Sequence, residues 1–109
     1  MPHIRIRSLS EAAVATLSRE LPKTLAPLMS TPEDNFTVEL IGTTFYSQGK
    51  IVEGDPMIEV QWFDRGQATQ DACAAEITFL VRQHTKSEFI AVVFTALPKT
   101  SYYENGTHF

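Results

Sequence analysis

The residue in this sequence best suited to chemistry is Pro2, which directly follows the initial methionine. Removal of a methionine before so small a residue would leave proline at the chain terminus, with a secondary amine in place of an amide nitrogen. Such an amine can take up and release a proton, and a strand beginning there would hold this base in one position. The structural alternative is that proline, which lacks a backbone donor, is simply a suitable first residue of a strand. Position alone favours the structural interpretation.

The other side chains that could carry chemistry form no recognisable constellation. His3, His84 and His108 are far apart in the chain, and none has a cysteine or a paired carboxylate at ligand spacing. No glycine-rich loop has the spacing that binds phosphate, and nothing brings serine, histidine and aspartate together. We therefore predict neither a metal site nor a cofactor.

Composition indicates one globular domain spanning residues 1–109. Hydrophobic residues make up 43% of the chain and charged residues 20%, which argues against disorder. The net charge of −4 disfavours a nucleic-acid partner. The longest apolar run, Phe89 to Leu97, is too short to cross a bilayer, and the start of the chain has no signal-peptide pattern. The lone Cys73 is expected to be a buried thiol, so we predict a soluble, cytoplasmic protein without a membrane partner.

The residues that must position Pro2 have the pattern of a strand over residues 1–7. Ile4 and Ile6 alternate with polar side chains, which is typical of a strand with one apolar face. A helix follows, and the spacing of Ser8 and Glu11 is that of a capping box. This spacing predicts Ser8 as the N-cap of the helix.

Two prolines interrupt the apolar stripe of this helix. Pro22 predicts a kink, or an end of the regular helix near Leu21, because proline removes an intrahelical hydrogen bond. Pro27 predicts that the helix ends before Ser30.

The rest of the chain alternates strands with a second amphipathic helix. The predicted elements are a strand over Phe36–Tyr46, a short strand at Ile51–Val52, a strand over Met57–Phe63, a helix over Gln67–Thr85 and a strand over Phe89–Thr95. This order contains two β-α-β units. Because the crossover of each unit is right-handed, the simplest assembly is an α+β fold. It has a four-stranded mixed sheet with both helices on one face.

Alternation assigns the strand residues to the two faces of this sheet. The set predicted to face the helices is apolar: Ile4, Ile6, Val38, Leu40, Ile58, Val60 and Trp62. The opposite set is polar: His3, Arg5, Arg7, Thr37, Glu39, Glu59 and Gln61. Because its basic and acidic residues lie on different strands, we expect cross-strand pairs. The last strand is apolar on both faces, which indicates partial cover of the open face by another subunit. A ring of three would also protect the strand edges.

These features together resemble the tautomerase superfamily. The resemblance rests on Pro2 opening a strand, the two β-α-β units, the length of 109 residues and the closing segment Asn105–Phe109. It extends over the whole chain as architecture, and is nearest to the groups of migration inhibitory factor and 5-carboxymethyl-2-hydroxymuconate isomerase. The segments Trp62–Gln67 and Tyr102–Gly106 are still more similar to a group of small bacterial proteins attached to that superfamily.

The resemblance implies a homotrimer whose sheets enclose a central barrel, with each active site at a subunit boundary. Pro2 would be the general base that moves a proton between carbon and oxygen in a small enolisable carboxylic acid. An α-amino group titrates near ~8, and burial lowers its pKa, because burial disfavours the charged form. Proton transfer by a base adjusted in this way contributes roughly 10²–10⁴ in rate.

Further residues are implied as substrate contacts. Arg65 and Lys50 are the candidate cations for the carboxylate or the developing enolate, although Arg65 could instead be a turn residue paired with Asp64. Trp62 is expected in the core or the pocket wall. The remaining contacts are aromatic: Phe36, Tyr102 and Tyr103. The two tyrosines could alternatively pack across a subunit boundary.

The sequence also departs from the inhibitory-factor pattern. Residues 29–31 are Met-Ser-Thr where that pattern has a lysine before the second strand, and Phe36 stands where it has a tyrosine. Ile90 and Val92 occupy fourth-strand positions that are polar there. The resemblance therefore does not assign a phenylpyruvate-type activity to this chain, and the substrate stays unassigned. Two hypotheses follow: a trimeric proline-dependent tautomerase, or a non-catalytic homotrimeric binding or interaction protein on the same scaffold.

Overall fold

The computed structural model of the protein describes residues 1–109. Its α-helices and strands follow in the order β1 (His3–Arg7), α1 (Glu11–Met29), β2 (Thr37–Leu40), β3 (Phe45–Ser47), β4 (Lys50–Val52), β5 (Met57–Trp62), α2 (Gln67–Arg82), β6 (Ala91–Ala96), β7 (Tyr103–Glu104) and β8 (Thr107–His108). The main sheet has the strand order β2-β1-β5-β6. β1 is parallel to β2 and antiparallel to β5, and β5 is parallel to β6. The predicted α+β fold with a four-stranded mixed sheet is confirmed.

Both helices pack on one face of the sheet, and the core lies between these two layers. The strands contribute fully buried apolar side chains to it: Ile4, Ile6, Ile58, Val60 and Trp62. Leu17 and Leu21 of α1 and Cys73 and Ile77 of α2 are also fully buried there. Val38 and Leu40 are partly buried against the same cluster. The inward face predicted from alternation is therefore confirmed. Neither helix has the length and apolar character needed to span a membrane.

Helix α1 differs from its prediction at the start and at the first proline. Its N-cap is Ser10, whose hydroxyl accepts a hydrogen bond from the Ala13 amide at 3.1 Å, so the predicted capping box of Ser8 and Glu11 is wrong. The helix also continues through Pro22, which is buried, to Met29, so the alternative of an end near Leu21 is wrong. Burial of the proline ring offsets the hydrogen bond that this residue cannot make. The predicted end before Ser30 is confirmed, since this residue adopts a left-handed φ of 52°.

The second predicted strand is two separate strands. β2 ends at Leu40, and β3 begins only at Phe45 and pairs with β4 in a hairpin outside the main sheet. Gln48 and Gly49, at the hairpin turn, have φ values of 50° and 79°. Two consecutive positive φ values are those of a type I′ turn, which suits the twist of a hairpin. The strand predicted over Phe36–Tyr46 is therefore divided between the main sheet and the hairpin.

The open face of the main sheet contains the expected cross-strand ion pairs. Arg5 on β1 donates to Glu39 on β2 at 2.8 Å and to Glu59 on β5 at 3.1 Å. The Thr95 hydroxyl on β6 donates to Glu59 at 3.0 Å. Val93 of β6 lies on this face and is 40% exposed. The face is therefore polar over three strands, whereas the fourth contributes both polar Thr95 and apolar Val93.

The packing predicts unequal costs for two leucines of α1. Leu21→Ala should lower the free energy of unfolding by about 2–5 kcal/mol, because it opens a cavity at a fully buried position. Leu28→Ala, at a position 39% exposed on the same helix, should cost much less. Urea denaturation followed by circular dichroism measures both. Equal losses in the two variants would contradict this assignment of the buried face.

Candidate functional site

The amino-terminal end of β1 is fixed by contacts on its β2 side. The Met1 ammonium donates to the backbone carbonyl of Asn35 at 3.0 Å, and the Met1 residue is only 9% exposed. The Pro2 side chain is fully buried, and its carbonyl accepts a hydrogen bond from the Thr37 amide at 3.1 Å. Asn35 ends a short 3₁₀ helix, Glu33–Asn35, that leads into β2. The first two residues are therefore positioned by the sheet instead of fraying.

Met1 lines a cavity of about 220 Å³ at this end of the sheet. Its other lining residues are Thr31, Asn35, Phe63, Arg65, Lys99 and Phe109. They come from the loop after α1, the segment after β5, a 3₁₀ helix over Lys99–Ser101 and the end of the chain. No aspartate or glutamate side chain lines this cavity. The side chains around the terminal amine thus bring two positive charges and no negative one.

Arg65 is held rigidly at the cavity wall. Its Nε donates to the Met29 carbonyl at 3.1 Å, and a terminal nitrogen donates to the Phe63 carbonyl at 2.6 Å. Its guanidinium carbon lies 5.4 Å from the ring centre of Trp62, within cation–π range. Burial lowers the pKa of Arg65, yet arginine remains charged at neutral pH. Arg65 forms no ion pair with Asp64. The Asp64 carboxylate instead accepts a hydrogen bond from the Gly66 amide at 2.8 Å.

His3 and Tyr102 connect β1 to the carboxy-terminal tail, residues 98–109. The His3 Nε2 and the Tyr102 hydroxyl are 2.6 Å apart, and His3 Nδ1 is 2.5 Å from the Thr37 hydroxyl. The Tyr102 ring packs edge-on against Phe63 at 5.6 Å and Phe109 at 5.3 Å between ring centres. These contacts hold the tail beside the cavity. They place Lys99 and Phe109 in its lining.

Electrostatics favour the unprotonated form of an amine at this position. Burial is the main cause that lowers the pKa of the Met1 amino group from its ordinary 8.0. Glu104 opposes this shift, and the positive charge of Arg65 adds to it. Burial, and then the adjacent terminal amine, also lower the pKa of His3, so this imidazole is neutral at pH 7. A base at the end of β1 would thus be closer to its reactive form at neutral pH.

The structure brings together only part of the predicted set of site residues. Arg65 lines the cavity, and the fully buried Pro2 follows Met1, which also lines it. Tyr102 packs against the lining residue Phe63 from the tail. Trp62 is fully buried beneath Arg65.

The other predicted contacts lie outside this cavity within one chain. Phe36 packs partly buried against the core, Lys50 lies on the β3-β4 hairpin, and Tyr103 is 60% exposed against the His108 ring. Sequence reasoning missed Lys99 and Phe109, which have no local pattern to mark them. Only the folded tail brings these two residues to the amino terminus.

A larger groove of about 890 Å³ lies at the other end of β1, between the β3-β4 hairpin and the loop after α2. The Ser87 hydroxyl there donates to Asp55 at 2.5 Å, whereas His84 faces Glu20 of α1 at 3.8 Å. No serine–histidine hydrogen bond forms in it. The amine end of β1 is therefore the better candidate site.

The fold defines the structural class of this protein. The chain is similar to a migration inhibitory factor-like protein from Entamoeba histolytica, with a TM-score of 0.77 and 18% identity over 99% of this chain and 98% of that one. It is also similar to a fused 4-oxalocrotonate tautomerase solved as an asymmetric trimer, with a TM-score of 0.83 and 14% identity over 97% and 94% of the chains. The chain thus has the tautomerase-superfamily fold, which confirms the resemblance at the level of architecture.

Within this class, residues 1–108 match the family described as Domain of unknown function (DUF1904), and the protein belongs to that family. The solved structure of a DUF1904 domain from Sebaldella termitidis is 38% identical, with a TM-score of 0.94 over 100% of both chains. No curated protein matches the sequence.

The contact between His3 and the tail predicts a difference between neighbouring tyrosines. Tyr102→Phe should lower the free energy of unfolding by about 1 kcal/mol, because it leaves the His3 ring nitrogen without its partner. Tyr103→Phe is the matched control, since its hydroxyl makes no hydrogen bond and the residue is 60% exposed. Thermal unfolding compares the two. Identical melting temperatures would contradict a role for the Tyr102 hydroxyl in holding the tail.

Proposed function

We propose that this protein is a tautomerase that uses Pro2 as a general base on a small enolisable carboxylic acid. The observation that carries the proposal is the start of the chain, where Met1, the residue before Pro2, lines a cavity whose only charged side chains are Arg65 and Lys99. A buried amine with a lowered pKa is suited to removing a proton beside a carbonyl. Nearby cations are suited to the negative charge that develops on the oxygen.

The proposed reaction begins with loss of Met1. While Met1 is attached, the Pro2 nitrogen is an amide without basic character, and the Met1 residue forms part of the cavity wall. After its removal, the Pro2 amine takes a proton from the carbon next to the substrate carbonyl. The electrons of that C–H bond form a carbon–carbon double bond, and negative charge moves to the oxygen. Arg65 stabilises this enolate, and return of a proton to a different atom completes the isomerisation.

We include a homotrimer in this proposal. The fused 4-oxalocrotonate tautomerase that this fold resembles is described as a trimer. In the single chain, the β3-β4 hairpin exposes Tyr46 at 68% and Ile51 at 70%, and Val93 adds apolar surface on the open face of the sheet. Burial of such surface between subunits is favourable. The proposed partners are a small-molecule acid and two further copies of this chain. We propose no nucleic-acid or membrane partner, and we place the protein in the cytoplasm.

The test of the base starts from protein whose intact mass shows that Met1 is absent. We expect it to ketonise phenylenolpyruvate or 2-hydroxymuconate, and Pro2→Ala to lose up to about 10²–10⁴-fold in rate, because the fixed secondary amine is lost. Ultraviolet absorbance follows the reaction. Equal rates for the processed protein and Pro2→Ala on both acids would sink the catalytic hypothesis and favour the non-catalytic binding protein.

Two further measurements sharpen this test. Protein extended at its amino terminus should be inactive, because its Pro2 nitrogen is an amide.

The processed protein should lose kcat/KM as the pH falls through the pKa of the amine, since only the unprotonated form accepts a proton. Burial predicts that this inflection lies below about 8, the ordinary α-amino value. An inflection well above that value would contradict a buried base.

The assembly has its own test by light scattering after size-exclusion chromatography. We expect a mass three times that of the 12.2 kDa chain. Ile51→Asp should weaken this assembly, because it places a charge on the exposed apolar hairpin. Phe79→Asp, at a position 63% exposed on α2, should leave the mass unchanged. A wild-type mass of one chain at micromolar concentration refutes the trimer.

A further inference from the structure

We infer that Lys99 is the residue that binds the substrate's carboxylate, whereas Arg65 is fixed beside the base and acts there. The inference rests on the proposed function and deepens it. It assigns different tasks to the two cations of the cavity, and it brings the carboxy-terminal tail into substrate recognition. The ligand class is a small organic acid held through its carboxylate.

Arg65 is poorly placed to serve as the main carboxylate contact. A side-on guanidinium pair with a carboxylate uses two parallel N–H donors. In this protein the Nε and one terminal nitrogen already donate to the carbonyls of Met29 and Phe63, and Trp62 covers the guanidinium. These contacts lock the group in place. Arg65 lines the same cavity as Met1, which places it near the end of the chain where the base would be.

Lys99 has the opposite properties. Its ammonium has no acidic partner within 4.0 Å, and its one recorded contact is with the ring of Phe63, at 5.7 Å from the ring centre. The three donors of this ammonium are therefore available to a ligand. Phe63 meets both cations, Arg65 at its backbone carbonyl and Lys99 at its ring. The cavity thus contains two cations that both contact Phe63: Arg65, which hydrogen bonds fix, and Lys99, which is free.

The charges of the chain and of the cavity lining support the role of Lys99 as a carboxylate contact. The chain has 13 acidic and 9 basic residues, so an unpaired lysine in a lining without carboxylates is not explained by excess basic charge. Glu104 of the tail acts on the terminal amine and is absent from the cavity lining. Lys99 begins its 3₁₀ helix three residues before Tyr102, the residue bound to His3. The same clamp that fixes the tail therefore positions this ammonium.

The test measures binding without catalysis, using crotonate and its uncharged analogue crotonamide as probes. The protein beginning at Pro2 is titrated with each probe, and ligand-observed NMR gives the dissociation constants. Lys99→Met should weaken crotonate binding about tenfold, because a charge-assisted hydrogen bond is lost. Crotonamide binding should stay unchanged. Lys99→Arg should restore most of the crotonate affinity.

Lys86→Met is the matched control, since this exposed lysine lies in the groove at the other end of β1. It should bind both probes like the wild type. An equal loss for both probes in Lys99→Met, or no loss for either, overturns the inference. The outcome also separates the two proposals. If crotonate binding depends on Lys99 but the protein ketonises neither enol acid, the anion site is supported. The catalytic proposal is then overturned.

Discussion

β1 carries the amino-terminal end of the chain into the interior of the sheet, where it is hydrogen-bonded by β2 on one side and β5 on the other. Ile4 and Ile6 anchor it in the core without any exposure. Chain ends usually fray because few contacts hold them. Here the first residue cannot move without disturbing a central strand, so a small, rigid cavity can form around a terminal amine.

The second requirement of the site is that the two ends of the chain meet. The tail has no long strand of its own, and β7 and β8 form only a two-residue pairing. Its position depends on the hydrogen bond between Tyr102 and His3, which are 99 residues apart in sequence, and on the packing of Phe63, Tyr102 and Phe109. The site is therefore formed by long-range contacts between segments that have little regular structure themselves.

This origin explains what the sequence could and could not predict. Alternation placed Ile4, Val60 and Trp62 on the buried face, because a strand has only two faces and one of them is covered. At Pro22 the alternative of a helix end near Leu21 is wrong, because tertiary burial of the proline outweighs the missing hydrogen bond. Arg65 was found as a cation in a turn. Lys99 was not, because its neighbours in sequence say nothing about the distant strand that it approaches.

Cys73 adds a separate consequence of the two-layer packing. It is fully buried where α2 meets the sheet, and this burial raises the pKa of its thiol. Since the thiolate is the form that reacts with alkylating reagents, the native protein protects this sulfur twice, by access and by ionisation. Modification requires α2 to separate from the strands beneath it, so the labelling rate of this one sulfur reports how often the helix layer opens.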